Sequence, residues 1–178
     1  MKITPKNLRS ETIYSGRVLE ITRDEIQLPN GRAITREVVR HPGAVVILPQ
    51  QSDGSLLLLR QFRYALGGDL LEFPAGTLEK NEEPLSCAKR EIMEEVKHKA
   101  TSWTALGQFY PAPGFCDELQ YGFLARDLTP AAAEADEDEF FEVVAMSPDE
   151  VVNAIADGTL RDSKSIAIFA RARFQGLL

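Results

Sequence analysis

Three glutamates lie close together in the run Arg90-Glu91-Ile92-Met93-Glu94-Glu95. On a helix, Glu91 and Glu95 are four apart and Glu91 and Glu94 three apart, so all three carboxylates crowd one side. Like charges at these spacings destabilise a helix by about 0.2–0.5 kcal/mol per pair. They also fall in the C-terminal half of the predicted helix, where the macrodipole disfavours negative charge. Arg90, four residues before Glu94, gives partial relief. A hard divalent cation, which prefers carboxylate oxygens, can repay such a cluster. The alternative for six residues like these is a solvated acidic helix face.

The surrounding residues favour the metal. From Gly76, five residues lead to Glu82 and seven more to Arg90, giving G-x5-E-x7-R-E-U-x-E-E with U aliphatic. This pattern, over 76–98, resembles the Nudix box of hydrolases that cleave nucleoside diphosphates linked to another group. The resemblance implies that Glu91 and Glu95 bind Mg²⁺ or Mn²⁺, two to three ions per site, with Glu94 as a further ligand or a base. It adds the backbone carbonyl of Ala75 to the ligands, and pairs Arg90 with Glu82 to lock the loop after Gly76 onto the helix. Such ions neutralise and orient the phosphates and favour the hydroxide nucleophile near neutral pH. Two positions depart from the box: Lys97 stands where the family has Gly, and His98 where it has an aliphatic residue. The Gly supports a left-handed helix stop, so Lys97 puts the helix exit in question. His98 is expected in a loop or at the surface.

The flanks narrow the resemblance. Arg60-Gln61-Phe62-Arg63, Leu71-Glu72-Phe73-Pro74-Ala75-Gly76, Pro111-Ala112-Pro113-Gly114-Phe115 and the acidic run 136–139 before Phe140-Phe141-Glu142 together resemble the ADP-ribose pyrophosphatase branch. Members of that branch hydrolyse ADP-ribose and related nucleoside diphosphate sugars. The resemblance implies substrate binding by Arg63, whose guanidinium fork suits phosphate, and by Glu72 and Phe115. It places the catalytic base, or a further metal ligand, at Glu139 or Glu137. A homodimer is implied, with N-terminal strands crossing to the partner and Tyr14, Ile21 or Arg23 lining a base slot. GDP-mannose is an alternative substrate. A non-catalytic ligand sensor on the same fold is a second alternative, and an isomerase using Cys116 a third.

These residues need elements to hold them. Val18–Leu28 and Ala33–His41 read as strands joined at Pro29-Asn30-Gly31, an N-terminal β-hairpin. Ala44–Leu48 and Leu56–Arg60, separated by Ser52-Asp53-Gly54-Ser55, read as a second hairpin. Pro84–Val96 reads as a helix, with Leu85, Ala88, Ile92 and Val96 in one apolar stripe. Strands follow at Thr104–Phe109, Leu119–Ala125 and Glu142–Met146. Helices follow at Pro148–Ala156 and Ser163–Phe174, with Ser147 or Ser163 as caps and Gly158 as a stop. This order is not a regular βαβ alternation. The expected class is α/β (α+β), a Nudix-type α/β/α sandwich with a mixed sheet. Residues 1–43 are expected to serve dimerisation and base recognition, and 44–178 to form the hydrolase domain.

The whole chain of 178 residues carries 20 basic and 27 acidic side chains, net −7. Residues 72–95 hold seven acids and three bases, and residues 134–142 six acids and no base, so the remainder is slightly basic. The balance argues against binding to nucleic acid or an anionic membrane. Cys87 and Cys116 form no CxxC pair, and the N-terminus has no apolar signal core. A reduced, cytoplasmic protein is expected.

Overall fold

The computed structural model describes residues 4–131 and 141–178. The chain divides into two units, Met1–Gly43 with Tyr110–Leu119, and Ala44–Phe109 with Gln120–Leu178.

The first unit is a three-stranded antiparallel sheet of β1 (Lys6–Ser15), β2 (Glu20–Gln27) and β3 (Ala33–Arg40), in that order. The turn between β2 and β3 is the expected one. Gly31 takes φ 84°, and the Arg32 N–H donates to Asn30 Oδ1 at 3.1 Å. The hairpin therefore stands, with β1 added to it. All ten residues of β1 are exposed, so it has no buried face and no apolar alternation to read. Residues 110–119 are stitched to β3. The Val39 N–H donates to the Phe115 carbonyl at 2.8 Å, and the Asp117 N–H donates to the Val39 carbonyl at 3.1 Å. Arg40 pairs with Asp24 and, at 3.0 Å, with Asp117.

The second unit holds β4 (Ala44–Pro49), β5 (Leu56–Arg63), β6 (Gly68–Glu72), β7 (Ala75–Thr77), α1 (Pro84–Val96), β8 (His98–Phe109), β9 (Gln120–Pro130), β10 (Phe141–Met146), α2 (Pro148–Asp157) and α3 (Ser163–Phe174). One sheet has the order β7-β4-β9-β8 and is mixed, with β4 parallel to β9 and its other pairs antiparallel. The other is antiparallel, β10-β5-β6. The second hairpin expected from sequence is not formed: β4 and β5 lie in different sheets and share no ladder, only an isolated bridge between Gln50, just after β4, and Leu56. Both strands are apolar on both faces, so each is central in its sheet and neither behaves as a half-exposed hairpin arm.

Helices cover both sides of these strands. Cys87, Ala88, Ile92 and Val96 of α1 pack with Val45, Ile47, Leu57 and Leu59. Val46, Leu48, Leu56 and Leu58 point the other way, to Val151 and Ala154 of α2 and Ile168, Phe169 and Ala172 of α3. Each such side chain fully removed from water contributes about 1.5–3 kcal/mol when Val-sized or larger. Leu85 departs from the expected stripe: it stays exposed, and Cys87 is fully buried.

The helix ends explain the local geometry. Pro84 opens α1 at its first turn. Ser147 caps α2 through a capping box with Glu150, and Gly158 at φ 81° ends it. The cap of α3 is Asp162, one residue before the expected Ser163. Lys97 ends α1 at φ 54°, ψ 36°, with its N–H donating to the Ile92 carbonyl. The helix thus exits in the left-handed way, at a cost of about 1–2 kcal/mol for a residue with a Cβ. His98 is half-buried at the start of β8, its Nδ1 2.6 Å from the Val96 carbonyl oxygen. No helix among the described residues is long and apolar enough to cross a membrane.

Candidate active site

α1 presents its glutamates to β7. Glu95 is 2% exposed and Glu91 9%, because the same helix turns that bury Ile92 and Val96 carry them inward. The Ala75 N–H donates to Glu95 Oε2 at 3.0 Å. At Gly76 an added Cβ would stand 1.9 Å from both Cδ and Oε1 of Glu91. Glycine is required there by the carboxylate, not by backbone torsion, since Gly76 is absent from the positive-φ glycines. β7 is held in place by β4, with Gly76 opposite Val45 and Ala75 opposite Val46.

Arg90 joins the remaining acids. Its Nε and Nη2 donate to the two oxygens of Glu82, each at 3.1 Å, a fork-to-fork pair. Its Nη1 donates to Glu91 Oε1 at 2.6 Å and Glu94 Oε2 at 3.0 Å. The guanidinium pKa is raised, by the hydrogen bonds to Glu82 first and by the Glu91 charge, with burial opposing. Arg90 in turn holds the Glu82 carboxyl below its ordinary value. Glu94 is half-exposed, unlike its two neighbours.

A second charged group lies at the end of β6. Glu72, 1% exposed, accepts from Arg63 Nε at 2.7 Å and from Lys164 Nζ. Lys164 also donates to Asp162 Oδ2 at 3.0 Å. Burial draws the Arg63 pKa down, but the Glu72 hydrogen bond and charge, with Glu95 and Asp162 beyond, outweigh it and raise the value. The Glu95 carboxylate thus lies near enough for its charge to bear on Arg63. Lys164 and Asp162 were not apparent from sequence. Asp162-Ser163-Lys164-Ser165 signals a helix start, and a lysine there reads as solvent-exposed.

The structure thus gathers Arg63, Glu72, Ala75, Gly76, Glu82, Arg90, Glu91, Glu94 and Glu95 in the second unit. Phe115 lies in the first unit, 61% exposed, beside a cavity of about 350 Å³ whose lining includes Val38, Tyr110 and Pro113. Tyr14 and Ile21 are cross-strand partners, and Arg23 is opposite Glu11. Glu137 and Glu139 lie outside the described residues.

The donor set suits a hard cation in chemical type: two inward carboxylates, Glu91 and Glu95, against the backbone of 75–76. Among the described residues no three carboxylate, imidazole or thiol groups are gathered closely enough to enclose an ion by themselves. The resemblance adds the Ala75 carbonyl to these two carboxylates.

The NUDIX domain profile matches residues 39–168. The chain belongs to the Nudix family. A second profile, the nucleoside diphosphate sugar hydrolase N-terminal domain, matches residues 6–39, in line with the branch read from the flanking motifs. This Nudix chain is 39% identical over 162 residues to an ADP-ribose pyrophosphatase of Bacillus subtilis, covering 90% of this chain and 88% of the relative. It is 37% identical to the methanol dehydrogenase activator of Bacillus methanolicus, with the same coverage. It is 35% identical to a GDP-mannose pyrophosphatase of Yersinia enterocolitica, covering all of both. Among solved structures, an ADP compounds hydrolase superposes with a TM-score of 0.85 at 23% identity, covering 98% of this chain and 97% of that one, which bears out the Nudix fold. The chain is a Nudix hydrolase, and the family generally depends on divalent cations.

Proposed function

We propose that the protein hydrolyses the pyrophosphate bond of ADP-ribose or a related nucleoside diphosphate sugar. The observation that carries this is the seating of Glu91 and Glu95 against Ala75 and Gly76, with Arg63 within electrostatic reach of Glu95. Water attacks one phosphorus, its oxygen forms the new P–O bond, and the bridging oxygen leaves with the other phosphate. The products are a nucleoside monophosphate and a sugar phosphate; for ADP-ribose, AMP and ribose 5-phosphate.

Each residue has a part in this reading. Glu91, Glu95 and the Ala75 carbonyl would hold Mg²⁺ or Mn²⁺, two to three ions with Glu94 as a further ligand or a base. Bound there, the metal supplies positive charge against the diphosphate and favours formation of the nucleophile. Arg90 ties Glu82, Glu91 and Glu94 together and keeps the loop from Gly76 to Glu82 on α1. Arg63, engaged by Glu72 through Nε, offers its terminal nitrogens to substrate phosphate. Glu139 or Glu137 takes the proton from the attacking water, a role that suits a glutamate whose pKa is raised by neighbouring acids. Phe115 is taken to border the base or sugar, as the resemblance implies. The protein acts as a cytoplasmic homodimer through the strands of 1–43, with Tyr14, Ile21 or Arg23 at the base; its two free thiols fit a reducing compartment.

The full-length match to a GDP-mannose pyrophosphatase supports a second reading, in which GDP-mannose is preferred. A panel of ADP-ribose, GDP-mannose and UDP-glucose with Mg²⁺ separates the two. Fastest turnover of ADP-ribose is the expected result. Binding without turnover of any of the three would favour a ligand sensor instead.

A further inference from the structure

The first turn of α3 grips the end of β6 at two consecutive residues. The Phe73 N–H donates to Ser165 Oγ at 2.7 Å, and Ser165 Oγ–H donates to Asp162 Oδ2 at 2.6 Å. Asp162 Oδ2 also accepts from Lys164, whose other partner is Glu72. An unbroken chain of hydrogen bonds thus runs from the backbone of Phe73 through Ser165, Asp162, Lys164 and Glu72 to Arg63. Two cations and two carboxylates alternate along it, and Lys164 sits between the carboxylates. The Lys164 side chain is 13% exposed, so it is not itself a group that meets substrate in the open.

Glu72 can use its two oxygens in two ways. With Lys164 on Oε2 and Arg63 on Oε1, the two cations share the carboxylate one to each oxygen, and the Arg63 bond observed runs through Nε. Arg63 then keeps its terminal nitrogens out of the pair. Without Lys164, a carboxylate that is almost fully buried has one cation left, and the favoured arrangement is the two-bond fork between guanidinium and carboxylate. That fork engages a terminal nitrogen of Arg63 and draws it off substrate.

We propose that Lys164 is a positioning residue for this hydrolase: its ammonium, beside Oε2 of Glu72, disfavours a second guanidinium bond there and keeps Arg63 on Oε1 through Nε alone, which leaves its terminal nitrogens for a diphosphate. The inference rests on the reading of Arg63 as the phosphate-binding group. Lys164 acts through Arg63, on substrate capture and not on the water that attacks.

The test is steady-state kinetics with ADP-ribose and Mg²⁺, or with GDP-mannose should that be the faster substrate, for wild type, Lys164→Met, Lys164→Arg, Arg63→Ala and the Arg63→Ala/Lys164→Met double variant. Lys164→Met is expected to raise KM about tenfold with kcat held within about threefold, the scale of one hydrogen bond to a charged group. Lys164→Arg should restore most of it, and in the Arg63→Ala background the Met substitution should add nothing. Lys164→Gln, which retains a donor for Glu72, replaces the Met variant if thermal melting shows that Met unfolds the protein; it should raise KM by a smaller factor. Wild-type KM in the folded Met or Gln variant, a fall in kcat alone, or full additivity with Arg63→Ala overturns the proposal. Wild-type KM in Arg63→Ala alone overturns the phosphate reading instead.

Discussion

Gly76→Ala isolates the contact on which the site depends. The new methyl would lie 1.9 Å from the Glu91 carboxyl carbon and Oε1 and 2.3 Å from Cγ. A comfortable carbon contact needs about 3.5 Å, so the carboxylate must retreat by roughly 1.5 Å. The atoms displaced end a flexible side chain, and Gly76 does not occupy a left-handed conformation, so folding itself has little reason to fail. Gly to Ala in a compatible conformation stabilises by about 0.4–1 kcal/mol through the unfolded chain, which offsets part of the crowding. Activity is another matter. A displacement of about 1 Å at a reacting constellation can cost roughly 100-fold, and here Glu91, a metal ligand in the proposed mechanism, moves by more. Gly76→Ala should therefore melt within a few degrees of wild type while kcat/KM falls at least about 100-fold. The Mg²⁺ concentration for half-maximal rate should rise in parallel. The assay is nucleoside monophosphate release across a Mg²⁺ titration, with a melting curve on the same preparation. A folded Gly76→Ala enzyme with wild-type turnover and metal dependence would refute the reasoning, since Glu91 could then leave its place at no cost.

Three further predictions concern α1 and its surroundings. Lys97→Gly removes the left-handed strain at the end of α1 and should stabilise the protein by about 1 kcal/mol, a rise in Tm of about 2–4 °C for a chain of this size; an unchanged or lower Tm speaks against strain at Lys97. Glu82 has its pKa lowered from 4.5, so the stability it contributes is full above that value and is lost as pH falls through the depressed one. Glu82→Gln should accordingly be less stable than wild type at pH 7, with the gap closing at acid pH; a gap that widens towards acid contradicts the sign. Cys87 is fully buried and its thiol pKa is pushed up, by burial first and by the Glu91 charge, whereas Cys116 is partly exposed. A thiol reagent at neutral pH should modify one cysteine in the native protein and two after unfolding, with peptide mapping placing the first at Cys116.

What the sequence disclosed follows from which residues carry a periodic or spaced signal. α1 was legible to its last residue because Pro84 opens it and Ala88, Ile92 and Val96 form its buried stripe. The metal-binding carboxylates proposed for it stood out because their spacing is costly unless something is gained. β1 was not legible, since a strand exposed along its whole length has no alternation to show. β6 and β7 are short and interrupted by Phe73-Pro74, and the beginning of β8, from His98 to Trp103, is mostly polar or small. The pairing of β4 and β5 was misread because a turn between two apolar runs says nothing about which sheet each run joins. Lys164 could not be found from its neighbours: its partner Glu72 is 92 residues away, and only the fold brings them together.

The central claim is that Glu95, seated on Ala75, serves metal-dependent cleavage of a nucleoside diphosphate sugar. It is tested most directly by chromatographic identification of products from ADP-ribose and GDP-mannose with Mg²⁺, comparing wild type with Glu95→Gln. The account predicts a nucleoside monophosphate and a sugar phosphate in equal amounts from wild type, none after chelation of the metal, and a loss of at least about 100-fold in Glu95→Gln. Equal product release by a folded Glu95→Gln enzyme, or no nucleoside monophosphate from wild type with either substrate, would contradict it.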